Sequence, residues 1–225
     1  MFSLFKQRSH QLERLDTGDY TAEEYTKWQR EMYFVHRILG ERRALGNSLL
    51  PEIRRTSASV SILDVGAGSG ELLSAVREWK IEHAPFIAGA EINAVAAKSI
   101  RNRGISAIRC DALHLPFQDG SFDFVFCSLF LHHLTDNKAI ELLSEMKRVA
   151  RKRIFVIDLH RSPVAYYFYK TVGRLFLQRF TIEDGSLSIL RAFSPDDLSR
   201  LAEAAGLGDI EVRRSAAYRL VLSGK

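Results

Sequence analysis

Apolar positions follow two different rhythms along most of this 225-residue chain. Short apolar runs, of the length of a buried strand, lie at 60–65, 86–91, 106–110, 122–128 and 154–159. Between them, apolar residues recur every three or four positions, as on one face of a helix, over 71–79, 94–103 and 138–150. This alternation predicts an α/β protein with a doubly wound, mostly parallel sheet.

The end of the chain departs from the alternation. Residues 163–180 are aromatic and helical in period, within an insertion at about 161–193, and a further helix begins after Ser194. Two final strands are expected at 209–213 and 218–222. Because their link is short, they must pair in antiparallel fashion. The predicted sheet therefore has seven strands and a terminal antiparallel hairpin.

The first residues also stand apart from the alternation. Trp28, Met32, Val35 and Leu39 recur at helical spacing. Residues 1–57 are therefore expected to form a helical cover or lid over one domain, 58–225.

A glycine loop follows the first predicted strand. The segment 62–70 reads Ile-Leu-Asp-Val-Gly-Ala-Gly-Ser-Gly. A loop of this kind at the carboxyl edge of a parallel sheet binds nucleotide-like cofactors. Its G-x-G-x-G spacing differs from the G-x-G-x-x-G of dinucleotide folds, and Glu71 would repel a pyrophosphate. The loop therefore favours a cofactor without phosphates, with a tight turn that binds nothing as the alternative.

Acidic residues end the next two predicted strands. Glu91, one strand–helix–strand unit after the loop, can accept both hydroxyls of a ribose. Asp111 can accept the amine of an adenine, although a capping role is common for Asp.

Four motifs in series, ILDVGAGSGEL, GAEIN, RCDALHLPFQDGSFDFVFCSLFLHHL and MKRVARKRIFVIDL, resemble those of class I S-adenosylmethionine-dependent methyltransferases of the small-molecule, type 11-like kind. The resemblance implies a Rossmann-like fold, S-adenosyl-L-methionine as cofactor and S-adenosyl-L-homocysteine as product. It departs from the family at Arg151-Lys152-Arg153, where a Pro-Gly-Gly turn usually precedes the fifth strand. The implied cofactor-binding residues are Asp64, Gly66, Ala67, Gly68 and Gly70 for the methionine end, Glu91 and Ile92 for the ribose, Asp111 and Ala112 for the adenine, and Ser128 and Leu129 for the floor.

Histidines follow the fourth predicted strand, at the edge where an acceptor should lie. We expect His132 to act as the catalytic base and Asp158, at the end of the neighbouring strand, to orient it. Some natural-product O-methyltransferases that resemble this chain use a His and an Asp at these positions. His133 and His160 are alternative bases, and either member of the His pair could instead cap a helix.

Aromatic residues in the insertion predict a planar, apolar acceptor. They are Tyr166, Tyr167, Phe168, Tyr169, Phe176 and Phe180, joined by Trp28 and Tyr33 of the cover. The expected function is methyl transfer to the oxygen of a phenolic or polyketide-type metabolite in secondary metabolism. The alternatives are C-methylation of a quinone precursor and a cofactor-binding protein without catalysis.

Composition narrows the partners further. The net charge of +5 is dispersed, with no basic stripe or amino-directed nucleic-acid methyltransferase motif, so no nucleic-acid partner is expected. Cys110 and Cys127 read as free thiols of a cytoplasmic protein and not as a metal site. No apolar run suggests a membrane span. A monomer or a homodimer is equally compatible with the chain.

Overall fold

The sheet has seven strands in the order β3-β2-β1-β4-β5-β7-β6. This computed structural model describes residues 2–38 and 40–225, apart from the side chains of 2, 3, 33 and 36–38. The predictions for Leu39 and the Tyr33 side chain therefore lie outside the described residues. The strands are β1 Ser61–Val65, β2 Phe86–Ala90, β3 Ser106–Ile108, β4 Phe122–Ser128, β5 Ala150–Leu159, β6 Glu211–Ser215 and β7 Arg219–Gly224.

Within this sheet, strand β7 alone runs opposite in direction to the others. The pairs among β1 to β5 are parallel, whereas β7 pairs antiparallel with β5 and with β6. The predicted fold class, with its terminal antiparallel hairpin, is confirmed. The order also places β1 beside β4, so that the chain winds outward in both directions from this pair. A crevice at the carboxyl ends of such a pair is the usual ligand site of a doubly wound sheet.

Helices cover both faces of the sheet. Alternate residues of β4 point to opposite sides, because successive side chains of a strand do so. Phe124 and Phe126 are buried in one core, and Val125 and Cys127 are buried in the other. The helices are α1 Arg14–Thr17, α2 Ala22–Ile38, α3 Glu41–Arg54, α4 Glu71–Arg77, α5 Ala94–Asn102, α6 Asp136–Val149, α7 Pro163–Gly173, α8 Arg179–Arg191 and α9 Pro195–Ala204.

The aromatic segment is not one helix to residue 180, as its period suggested. Helix α7 ends at Gly173, and α8 begins at Arg179. The turn between them is closed by backbone bonds such as Leu177 N–H to Gly173 O at 2.7 Å. The carboxylate of Glu31 then accepts the Gln178 N–H, at 3.1 Å from one of its oxygens, just before α8 begins. The cover thus fixes the start of α8.

Arg151, Lys152 and Arg153, which replace the family's Pro-Gly-Gly turn, do not form a turn before the fifth strand. Residues 151–153 belong to β5, which begins directly after α6. Two of their charges are paired: the carboxylate of Asp123 lies 3.3 Å from Arg151 and 3.4 Å from Lys152. Phe122 of β4 pairs with Ala150 and Phe124 pairs with Arg153, so that the register of β5 against β4 shifts between these two pairs.

The cover is bonded to the insertion. The N–H groups of Arg14 and Leu15 donate to the carboxylate of Asp184 in α8, both at 2.9 Å. Ser9 N–H donates to Leu190 O at 2.9 Å. The division at residue 57 stays a prediction, but cover and insertion clearly form one cap. None of the helices within 2–38 and 40–225 has the length and apolarity needed to cross a bilayer.

Candidate active site

The glycine loop joins β1 to α4 at the carboxyl edge of the sheet. Gly66 and Ala67 donate backbone N–H groups to Ala90 O, at 2.9 and 3.2 Å. Gly66 has φ of 71° and lies so close to the Phe130 ring that a Cβ there would be 2.9 Å from Cδ1. The loop therefore needs glycine at this position for both conformation and space.

A cleft of about 370 Å³, the cofactor cleft, opens above this loop. Of the residues predicted to bind cofactor, the structure brings six to its walls. These are Asp64, Gly66, Ala67, Gly68, Ser128 and Leu129. Sequence reasoning missed Glu41, Arg42, Ser69 and Leu72 as wall residues, and named Glu71 only for its charge. Glu41 and Arg42 belong to the cover, and no local motif marks them.

The remaining predicted cofactor residues are not among those that line this cleft. Both oxygens of Glu91 accept backbone N–H groups, from Gly68 and Asn93, each at 2.8 Å. Glu91 is therefore held against the glycine loop. Gly70 precedes α4, and Ile92 is exposed beside Glu91. Past the end of β3, which stops at residue 108, Asp111 accepts Leu113 N–H at 3.0 Å, and Ala112 lies in the same turn.

Two buried polar groups in the cleft are suited to a charged, polar ligand. Asp64 is 3% exposed, and its pKa is raised well above the ordinary value by burial and by the charge of Glu91. A cation bound nearby would stabilise the ionised carboxylate of Asp64 and so lower this pKa again. Ser128 Oγ is buried without a hydrogen-bond partner among the described residues. Buried hydroxyls are normally satisfied, so a ligand is the expected partner.

A second cavity, of about 380 Å³, lies under the cap. We call it the acceptor cavity. Trp28 and Met32 of α2, Phe168 and Tyr169 of α7, and Ile189 of α8 supply apolar walls. Its polar wall residues include His132, His133, His160, Glu13 and Asp184.

Leu129 lines both cavities. Its φ is +50°, a conformation that non-glycine residues rarely adopt. Its N–H donates to Ile157 O at 2.9 Å, which anchors the turn to β5. Strained residues of this kind cluster at functional sites. The two cavities are therefore adjacent, with the end of β4 between them.

The His132 and Asp158 side chains meet at the acceptor cavity. His132 Nδ1 is 2.6 Å from Asp158 Oδ1, and Asp158 Oδ2 accepts the His132 backbone N–H at 3.2 Å. His132 is 3% exposed and Asp158 is fully buried. Burial acts to raise the pKa of Asp158, but His132 and the Leu159 N–H outweigh it, so that this pKa lies below its ordinary value. The buried carboxylate of Asp158 thus contacts the His132 imidazole directly.

The two alternative bases have weaker support. His133 Nδ1 is 3.5 Å from Asp16 Oδ1 and is partly exposed. His160 lines the acceptor cavity, and burial, with Arg214 and Arg161, lowers its pKa. Among the described contacts, neither imidazole has a carboxylate as close as the one that holds His132.

Arginines of the cap hold the turn that carries His132. Arg191 of α8 donates to His133 O at 2.8 Å and to His132 O at 3.3 Å. Arg8 donates to Leu134 O at 3.1 Å and to His132 O at 3.3 Å. Sequence reasoning missed both residues, because their partners are more than 50 positions away.

The predicted aromatic wall is only partly present. Phe168, Tyr169 and Trp28 line the acceptor cavity. Tyr166 packs on Phe5 instead, Phe180 is buried beside Trp28, and Tyr167 and Phe176 are exposed. One turn of α7 therefore faces the cavity, and the rest of the segment packs elsewhere or meets solvent.

The glycine loop and most of the residues that line the cleft above it lie within the part of the chain that matches a known family. Residues 63–157 match the family described as methyltransferase domain. Over these residues the chain is similar to methyltransferase domains, and its seven-stranded sheet is the fold that S-adenosylmethionine-dependent methyltransferases share.

Relatives of known sequence show the same similarity. The chain is 30% identical over 153 residues to an uncharacterized methyltransferase of Bacillus subtilis, with 64% of this chain and 58% of that relative aligned. It is 28% identical over 168 residues to the demethylmenaquinone methyltransferase of Roseiflexus, covering 67% of this chain and 69% of that one. The chain thus spans little more than half of the first relative.

Solved structures share the fold at low identity. Magnesium protoporphyrin IX methyltransferase from Synechocystis, solved with bound SAH, superposes with a TM-score of 0.62 at 15% identity, over 90% of this chain and 94% of that one. A SAM-dependent methyltransferase from Aquifex aeolicus gives 0.57 at 17% identity, over 83% and 89%.

Proposed function

We propose that this chain transfers the methyl group of S-adenosylmethionine to a small molecule in the acceptor cavity, at the oxygen of a phenolic or polyketide-type metabolite. The observation that carries the proposal is the His132–Asp158 pair, which faces this cavity next to the cofactor cleft. Methyl transfer to a hydroxyl requires its proton to leave as the oxygen attacks in line. An imidazole oriented by a buried carboxylate is suited to accept that proton.

The residues of the cofactor cleft fit S-adenosylmethionine. The bound cofactor supplies an electrophilic methyl group on a positively charged sulfur. Glu41 is paired with Arg219. Asp64 and Glu71 are the carboxylates left to suit this charge and the ammonium of the methionine, beside Arg42 in the same wall. Ser128 Oγ offers the cofactor a hydrogen bond, and the Glu91 carboxylate, held against the glycine loop by Gly68 N–H, would accept the ribose hydroxyls.

The acceptor cavity favours a planar and largely apolar molecule. Trp28, Phe168 and Tyr169 provide aromatic surface on one side. His132 provides a polar group on another, at the end of β4. A small aromatic molecule with one reactive hydroxyl combines both requirements.

A second candidate is C-methylation of a quinone precursor. The similarity to demethylmenaquinone methyltransferases favours it. The same imidazole could deprotonate a ring hydroxyl and so make the neighbouring carbon nucleophilic. The position of the new methyl group separates the two candidates.

The test is turnover of a panel of phenols and naphthoquinols with S-adenosylmethionine labelled in its methyl group. We expect an O-methyl product, identified by its carbon-13 shift. His132→Ala should reduce kcat by about 10²-fold to 10⁴-fold and leave the Kd for the cofactor unchanged. His83→Ala, a control at an exposed position, should have no effect.

Each other result has a definite meaning. A C-methyl product would replace the first candidate with the second. Unchanged turnover in His132→Ala would remove the base from the mechanism. Tight cofactor binding without any product, across the whole panel, would indicate a protein that binds the cofactor without catalysis.

A further inference from the structure

The acceptor cavity contains a cluster of potential metal ligands, of which the proposed methyl transfer uses only His132. We propose that Glu13, His132 and His133 form a binding site for a divalent transition-metal ion of the Zn²⁺ class, and that an ion held there prevents His132 from acting as a base. One ligand atom from each residue lies within 4.8 Å of the other two. The binding half of the proposal is independent of the proposed function, whereas the inhibitory half rests on it.

The donor set suits such an ion. Two imidazoles and one carboxylate bind Zn²⁺ in sites that keep a coordination position open. Each imidazole here has a carboxylate behind it: His132 Nδ1 is 2.6 Å from Asp158, and His133 Nδ1 is 3.5 Å from Asp16. Carboxylates in this position orient metal-binding histidines and raise their basicity. The second ring nitrogen of each histidine is left for a metal.

The charges around the cluster also favour a dication. The carboxylates of Glu13, Asp16 and Asp158 face a single guanidinium, that of Arg191, which contacts Asp16 and lies 3.5 Å from Glu13. Among the described contacts, the three carboxylates thus outnumber the one guanidinium that pairs with them. Buried charges are normally paired or bound to metal.

Charges on the neighbouring elements do not remove this excess. Arg8 is paired with Asp136, and Asp184 adds a further carboxylate that accepts the Arg14 and Leu15 N–H groups. The cluster therefore lies in a region of negative charge at the wall of a cavity wide enough to admit an ion.

Metal binding and base catalysis exclude each other at His132. Its Nδ1 is engaged with Asp158, so only the other ring nitrogen can bind a metal or accept a proton from the acceptor. An ion that takes this lone pair removes the base. Chelation should therefore restore activity, and Zn²⁺ should inhibit in proportion to its occupancy of the site.

Binding is tested with Co²⁺, whose visible absorption reports its ligands. We expect one Co²⁺ per chain, displaced by Zn²⁺. Glu13→Gln and His133→Ala should each weaken Co²⁺ binding by about 10-fold or more. The control is His114→Ala, which removes an exposed imidazole next to a carboxylate and should leave the affinity unchanged. Circular dichroism verifies that each variant is folded.

The proposal is overturned if Co²⁺ does not bind at one per chain, or if Glu13→Gln and His133→Ala both bind it as the unaltered chain does. Loss of binding in His114→Ala would place the ion elsewhere. The inhibitory half is then tested by titrating Zn²⁺ during methyl transfer. Activity that stays constant or rises as the site fills would refute it. Co²⁺ binding without detectable methyl transfer would instead refute the proposed function alone.

Discussion

Alanine substitutions at Gly66 and Gly68 would separate backbone strain from steric contact in the glycine loop. Both glycines have positive φ, 71° and 52°. A Cβ at Gly66 would lie 2.9 Å from Cδ1 and 3.0 Å from Cγ of Phe130, whereas a Cβ at Gly68 would meet nothing within 4 Å. The two substitutions therefore share the strain and differ in the contact.

The magnitudes follow from these contacts. Left-handed backbone costs an alanine about 1–2 kcal/mol at either position. Both alanines also reduce the entropy of the unfolded chain, which offsets about 0.4–1 kcal/mol. The backbone strain and the entropy effect are the same in both variants, so they largely cancel when the two variants are compared. Overpacking against Phe130 adds about 1–3 kcal/mol at Gly66 alone, so we expect Gly66→Ala to be less stable than Gly68→Ala by this amount.

Urea unfolding of the chain without cofactor measures the difference directly. The comparison requires equal m-values, which show that the same surface is exposed on unfolding. In a Phe130→Ala background the two alanine variants should have the same stability, because the ring is gone. Equal stability of Gly66→Ala and Gly68→Ala in the unaltered background, within about 0.5 kcal/mol, would show that Phe130 does not pack on the loop.

Three further substitutions test the site. Asp158→Asn keeps the volume but loses the charge that orients His132, so kcat should fall by about 10²-fold to 10⁴-fold in steady-state assays; unchanged kcat would contradict the pairing. Burial and Glu91 raise the pKa of Asp64 in the folded chain, so its carboxyl destabilises the protein as the pH rises above its unfolded pKa. Asp64→Asn should therefore raise the urea midpoint at pH 8 but not at about pH 3, and equal gains at both would refute this. Glu41→Gln leaves the buried guanidinium of Arg219, 2.7 Å from Glu41 Oε1, unpaired, which should lower the free energy of unfolding by about 3–5 kcal/mol; recovery in the double variant Glu41→Gln/Arg219→Met is the control.

The sheet and the glycine loop could be predicted because their signals are local. In β4, Phe124 and Phe126 alternate with Val125 and Cys127, and this pattern follows from burial on two faces. The contact between His132 and Asp158 also follows from chain order, since neighbouring parallel strands end at the same edge. Their catalytic roles stay predictions.

Helix α8 could not be predicted from apolar spacing. Its buried residues include Thr181, Asp184, Ser186 and Arg191. Because these polar groups share the inner face with Phe180 and Ile189, the helix has no continuous apolar stripe for the sequence to reveal. Their partners come from distant segments: Arg191 and Glu13 are 178 positions apart. Such contacts are formed only by the tertiary fold.

The same distant contacts link the acceptor cavity to the turn that carries His132. Helix α8 lines this cavity through Ile189 and, through Arg191, holds the carbonyl oxygens of His132 and His133. Leu129, strained at φ +50°, lies in the same turn, between the cavity and the cofactor cleft. A change in α8 that reshapes the cavity for another acceptor will therefore also move the imidazole. Under the proposed function, acceptor choice and proton removal would be mechanically coupled, so substitutions in α8 should alter kcat together with KM.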